Sequence, residues 1–201
     1  MILGIDLGGT KIEGIVLKSK ENPKEIIRHR VDTEEDKGYS QVVSNIKLLV
    51  DYIENKINHK FNRLGIGTPG TIDPETGLLK NSNSQCLNGM PIQKDLSKTL
   101  YKTILIQNDA NCFALAETFL GSVKEQYPNA KNVFGIIMGT GVGGGVIIDG
   151  KTLNVNIELT DDDTIGVESE SENTIVVSSG ANMKPLKTTS IEKSSPSGLT
   201  L

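Results

Sequence analysis

Three short stretches carry residue types suited to moving a phosphoryl group. The first is Asp6-Leu7-Gly8-Gly9-Thr10-Lys11. Its two glycines leave backbone N–H groups unshielded, with a hydroxyl and an ammonium beside them, and such a nest suits phosphate oxygens. Asp6, just ahead of the turn, could hold the hydrated shell of a Mg²⁺ ion. The second is Asn108-Asp109-Ala110-Asn111, an amide and a carboxylate where a helix is expected to begin. Asp109 reads as an N-cap, and a carboxylate there can also serve as a general base. The third, Gly139-Thr140-Gly141-Val142-Gly143-Gly144-Gly145, resembles the first turn in composition. Between them lie Thr68-Pro69-Gly70 and an amide-rich loop with Asn81, Asn83, Gln85 and Asn88, polar groups fit for a hydroxylated acceptor. Phosphate cradles, acceptor ligands and a carboxylate are the parts phosphoryl transfer needs. Taken singly, each also reads as an ordinary hairpin turn, loop or helix cap.

The elements that must position these residues follow from hydrophobic spacing. Residues 2–7 and 12–17 read as two strands of a hairpin on the Gly8-Gly9 turn, with a third strand over residues 25–31. Val42, Ile46, Leu49, Val50, Ile53 and Ile57 fall at helical spacing, with Ser40 as a candidate cap. Residues 64–67 are a short buried-type strand leading into Thr68-Pro69-Gly70. Turns follow at residues 73–77, a short helix at 91–100 and a strand at 103–107 that delivers Asn108 and Asp109 to the next helix, residues 112–120. Strand, glycine turn and strand recur over residues 133–149. The alternation of strands and helices predicts an α/β layered fold. Beyond residue 152 the chain turns acidic, with a strand expected at 174–177 and a disordered end over residues 184–201.

Bulk properties narrow the classes. The chain has 201 residues and a net charge of -4, which argues against a nucleic-acid surface. No apolar run is long enough to span a bilayer, and no basic leader precedes the first strand, so a cytoplasmic protein is expected. Cys86 and Cys112 are too far apart for a metal-binding spacing and read as reduced thiols. His29 and His59 read as solvated side chains.

Three motifs match by spelling only. Gly145 to Thr152 spells a P-loop, but its interior is Val146-Ile147-Ile148, a strand where the loop should wrap phosphate. Gly139, Gly141 and Gly144 spell a dinucleotide fingerprint, which should open a helix. Asp161, Asp163, Gly166 and Glu172 sit at calcium-loop positions, but Ile165 takes a ligand position, so a solvated acidic loop is favoured.

Taken together, the motifs resemble the ROK family, especially its bacterial sugar kinases. They are residues 4–11 and 65–70, Asn83 with Leu87-Asn88-Gly89, residues 108–111 and residues 138–145, in the family's order. The resemblance implies an actin-like ATPase (ribonuclease H-like) fold, a mixed sheet with helices in two lobes around a cleft. It implies an ATP-dependent hexose kinase, with ATP and Mg²⁺ as cofactors, moving the γ-phosphate to the 6-hydroxyl of a sugar such as glucose or N-acetylglucosamine. Asp109 matches the catalytic base, and Gly70, Asn83, Asn108 and Asp109 match sugar ligands. Asp6, Gly8, Gly9, Thr10, Lys11, Gly139, Thr140 and Gly141 match the nucleotide-binding residues, with Asp6 facing Mg²⁺ through water. The implied organisation is a first lobe over residues 1–120, the start of a second lobe over 121–151 and an atypical tail over 152–201.

The resemblance ends near Lys151. The family's Gly-Glu-x-Gly-His segment does not follow, and no His or Cys occurs after Cys112, so no zinc site and an incomplete second lobe are expected. Two alternatives to the kinase remain open. One is a sugar-binding remnant without catalysis. The other is the family's regulator branch, disfavoured because Met1 abuts the first strand and leaves no room for a helix-turn-helix. A hexose is the expected partner, with no nucleic acid and no membrane, and association into a homodimer is left open.

Overall fold

A computed structural model describes residues 1–138, 142–153 and 174–180. The chain divides into two compact units, Met1–Cys112 and Phe113–Leu201. In the first, β1 (Ile2–Leu7) and β2 (Lys11–Leu17) form the expected hairpin, and β3 (Glu25–Asp32) extends it antiparallel. Alternation decides the faces: Leu3, Ile5, Leu7, Ile12 and Val16 point into the core, each at most 4% exposed.

Helix α1 (Tyr39–Ile57) covers that face with Val42, Ile46, Leu49, Val50 and Ile53, all fully buried. Burying each such side chain contributes about 1.5–3 kcal/mol. Gly14 lets α1 come close, because a Cβ there would stand 2.5 Å from Ile53 Cδ1. The helix starts earlier than its apolar spacing suggests. Gly38 (φ 89°) holds the cap position without a side-chain bond, and Ser40 lies inside the first turn, its carbonyl accepting the Ser44 hydroxyl at 2.9 Å. The left-handed backbone at Gly38 sets that start, which the serine cannot.

Strands β4 (Arg63–Thr68) and β7 (Thr103–Asn108) add parallel to β1, giving one mixed sheet ordered β3-β2-β1-β4-β7. Between them the chain forms a small hairpin, β5 (Thr71–Ile72) and β6 (Leu79–Lys80), around the turn at Asp73, and then α2 (Ile92–Leu100). Helix α3 (Asp109–Phe119) follows β7 without a break.

The second unit holds α4 (Ser122–Gln126) and an antiparallel hairpin, β8 (Asn132–Met138) with β9 (Val142–Ile148). β10 (Lys151–Leu153) pairs with β9, and β11 (Thr174–Gly180) runs parallel to β8. Asp149 and Gly150 both have positive φ (47° and 74°), the I′-type turn that favours Asp-Gly. The P-loop spelling is thus a hairpin, and a strand follows the dinucleotide spelling where a helix should stand. The glycine run is more strand than turn, since Gly143, Gly144 and Gly145 pair with Ile137, Ile136 and Gly135. The expected disordered end and the calcium-like spacing lie outside the described residues.

Candidate active site

Strand direction assembles the site. β1, β4 and β7 run parallel, so their C-terminal ends open on one edge of the sheet, the usual place for ligands in such layers. Asp6 lies opposite Gly67, and Gly67 and Thr68 lie opposite Gln107 and Asn108. A Cβ at Gly67 would stand 3.8 Å from Asp6 Oδ1, 3.8 Å from the Asp109 Cα and 3.7 Å from Cys112 Sγ. Gly67 therefore leaves open the space beside the Asp6 carboxylate, the Asp109 backbone and the Cys112 thiol. Sequence reading had placed it only within a motif; its pairing with Asp6 and Gln107 is what marks it.

The helix entry differs from expectation. Asn108, not Asp109, caps α3: its Oδ1 accepts the N–H groups of Ala110 at 3.1 Å and Asn111 at 3.3 Å. Asp109 is the first helical residue, and its Oδ1 accepts the Ala110 N–H at 2.7 Å and Asn108 Nδ2 at 3.1 Å. These bonds favour its ionised form, but burial outweighs them and raises its pKa above the ordinary aspartate value. Asp6 is raised as well. Although the residue as a whole is exposed, desolvation of its carboxyl acts first, then the Asp109 and Glu13 charges, with Arg30 partly offsetting them. Cys112, beside both, is pushed up to about 11 by burial and by the same two carboxylates, so its thiol stays neutral.

The glycine turn of the first hairpin is held from below. Gly8 N–H donates to Lys11 O at 3.0 Å, Thr33 N–H to Thr10 O at 2.9 Å and Thr33 Oγ1 to Gly8 O at 2.7 Å. Thr33 is fully buried, and its carbonyl accepts Asn45 Nδ2 at 3.2 Å. Neither residue stood out in the sequence, although Asn45, a polar residue next to the apolar stripe of α1, offered a hint. Gly9 and Thr10 keep their N–H groups without partners among the described residues. The Lys11 ammonium, however, pairs with Asp32 on the surface. Gly139, Thr140 and Gly141 lie outside the described residues.

The amide-rich loop is tied by Asn88, which donates to Ser82 O at 2.8 Å and accepts the Ser82 N–H at 2.9 Å. That clamp leaves Asn83 exposed between buried Ser82 and Ser84. Asn83 lines an open depression of about 580 Å³ with Asp73, Leu78, Lys80, Gln85 and Asn88; Asn108 and Asp109 are not on its wall. Gly70 is buried, and a Cβ there would lie 2.5 Å from Lys80 O, so its bareness admits the chain's own backbone. Among the described residues no three His, Cys, Asp or Glu side chains stand together as metal ligands. No described helix is long and apolar enough to cross a membrane.

This sheet, with Asp6 on its first strand and an Asn-Asp pair opening a helix at its edge, is the α/β architecture of the actin-like ATPases, shared by solved ROK sugar kinases. The ROK hexokinase from Thermus thermophilus superposes with a TM-score of 0.63 at 29% identity, covering 76% of this chain and 48% of that one. The ROK family glucokinase from Streptomyces griseus, solved with glucose and AMPPNP, gives 0.65 at 25% identity, covering 77% and 46%. An N-acetyl-D-glucosamine kinase from Mannheimia succiniciproducens is 40% identical over 151 residues, 75% of this chain and 47% of that protein. One from Aliivibrio fischeri is 36% identical over 154 residues, 77% and 48%. The ROK family's sequence model matches residues 2–154, and the chain belongs to that family. It spans about half the length of the curated relatives it matches.

Proposed function

We propose that this chain carries the acceptor and phosphate sites of an ATP-dependent hexose kinase, which moves the γ-phosphate to the 6-hydroxyl of a sugar such as glucose or N-acetylglucosamine. The observation that supports it most is the edge where parallel strands bring Asp6 and Gly67 beside Asp109, the first residue of α3, with the capping done by Asn108. Asp109 is the general base. A partly desolvated carboxylate with a raised pKa takes a proton more readily than a solvated one. Asn108 Nδ2 retains a second hydrogen for a sugar hydroxyl, and Asn83, exposed on its clamped loop, supplies another amide.

The N–H groups of Gly9 and Thr10, with Gly8 and Lys11 around them, cradle phosphate oxygens, aided by Gly139, Thr140 and Gly141. Lys11 reaches phosphate by leaving Asp32, a surface pair worth little. Asp6 is a hard oxygen donor at the strand end and fits a hydrated Mg²⁺, which when bound neutralises phosphate charge. Gly70 enters this reading as the residue that lets the loop fold close, and a backbone contact to sugar there remains part of the proposal. Residues 1–120 form the first lobe, residues 121–151 begin a second and residues 152–201 are a tail, in a cytoplasmic enzyme.

A coupled ADP-release assay over a panel of hexoses tests this. Sugar-dependent ADP release that Asp109→Asn abolishes is expected; turnover unchanged by that substitution removes Asp109 as the base. The alternative reading is sugar binding without turnover. A sugar-induced rise in melting temperature with no ADP release selects it.

A further inference from the structure

The Gly8-Gly9 turn has a second flank that the motif residues do not include. Ser84 is 3% exposed, yet its hydroxyl has no hydrogen-bond partner among the described residues; only its backbone N–H is spent, on Ser82 Oγ at 3.1 Å. The oxygen itself is not sealed from solvent, since no buried side-chain oxygen or nitrogen among the described residues lacks a partner, so the hydroxyl is open to a ligand. Its direction is fixed by Gly9: a Cβ on that glycine would stand 3.5 Å from Ser84 Oγ. The same point lies 3.7 Å and 3.8 Å from the two carboxylate oxygens of Glu35, which has no ion pair among the described residues. A hydroxyl and a carboxylate thus converge on the space that the bare Gly9 leaves open. Cys86 stands within reach of the same charge, since its pKa is raised by burial and by Glu35.

The chemistry of the pair discriminates between ligands. A phosphate oxygen would meet the Glu35 carboxylate as a like charge. A sugar hydroxyl, or the N–H of an acylamino substituent, donates to a carboxylate, and a hydroxyl also accepts from a serine. Ser84 is the residue after Asn83, so whatever Asn83 holds lies next to it in the chain. Resting on the hexose reading above, we propose that Ser84 and Glu35 are a specificity pair that recognises one hydroxyl or acylamino group of the sugar beside the glycine turn. Sites built to hydrogen-bond a substituent discriminate strongly against analogues lacking it, because their own polar groups are then left unpaired.

The test uses the full chain, ¹⁵N-labelled, titrated with glucose, N-acetylglucosamine, deoxy analogues of each and, separately, pyrophosphate. Support is a sugar that shifts the Gly9, Glu35 and Ser84 amides, with Ser84→Ala weakening that binding about five- to tenfold and Glu35→Gln about tenfold or more. One deoxy analogue should lose affinity on the parent chain and be indifferent to both substitutions. Pyrophosphate binding should be unchanged by Ser84→Ala. Sugar binding that shifts Asn83 and Asp109 but ignores both substitutions overturns the pair and leaves the hexose reading standing. Weakening of pyrophosphate alone by Ser84→Ala overturns it in favour of a phosphate ligand. No shift with any sugar overturns both the pair and the reading on which it rests.

Discussion

Two carboxylates at opposite ends of the same strands have opposite fates. Glu54 sits where β4 and β7 begin. It is 2% exposed and accepts the Phe61 N–H at 2.8 Å, Lys102 Nζ at 2.8 Å and Lys60 Nζ at 2.9 Å. Burial opposes its ionisation, but Lys102, the Phe61 N–H and Lys60 outweigh burial, and its pKa falls. Asp109 sits where β7 ends. It has a backbone N–H and a neutral amide but no cation among its bonds, and its pKa rises. One carboxylate is saturated with partners and fastens the bases of two strands. The other is partly desolvated and left under-compensated, a cost to stability consistent with the base role proposed for it.

Four changes would break or sharpen that contrast. Asp109→Asn should lower sugar-dependent ADP release by about 10²–10⁴-fold, while the denaturation midpoint stays level or rises. A loss of fold instead would place Asp109 in Glu54's class. Glu54→Ala should cost about 3–5 kcal/mol in urea unfolding, because it strands the largely buried Lys102 ammonium. Turnover per folded molecule should hold; a selective loss of rate would mean that the clamp end reaches the site. Gly70→Ala should cost about 1–3 kcal/mol by overpacking, since the new methyl would meet Lys80 O. An unchanged melting curve would show that the loop yields there.

The smallest effect is in pH dependence, and its signs are opposite. The stabilisation from Glu54 is full above the ordinary glutamate range and is lost as pH falls through its lowered folded value. That from Asp109 is full below the ordinary aspartate range and is lost as pH rises through its raised folded value. Glu54→Gln should therefore flatten the acid loss of stability, and Asp109→Asn should gain stability at neutral pH but none in acid. Parallel slopes in the two variants would erase the distinction.

Much of the fold was legible because its cues are local. Alternation over residues 2–7 and the helical spacing from Val42 depend on neighbours in the chain, and both elements form as read. The P-loop spelling was separable from a P-loop because Val146, Ile147 and Ile148 belong to a strand. The helix starts were read less well. Ser, Asn and Asp share one capping chemistry, and the backbone decides which residue takes the role. Gly38 displaced Ser40, and Asn108, ending β7, displaced Asp109.

By itself the sequence determined which residue types stand at the turns and strand ends and which local elements hold them, since side-chain type and hydrophobic period need no distant partner. Only the tertiary structure decided that Asp6, Gly67 and Asp109 share an edge, that Thr33 and Asn45 underpin the glycine turn, and that Ser84 and Glu35 face Gly9. It also set the opposite proton affinities of Glu54 and Asp109. Desolvation and charge pairing are properties of the surroundings, and those are built from parts of the chain far apart in order.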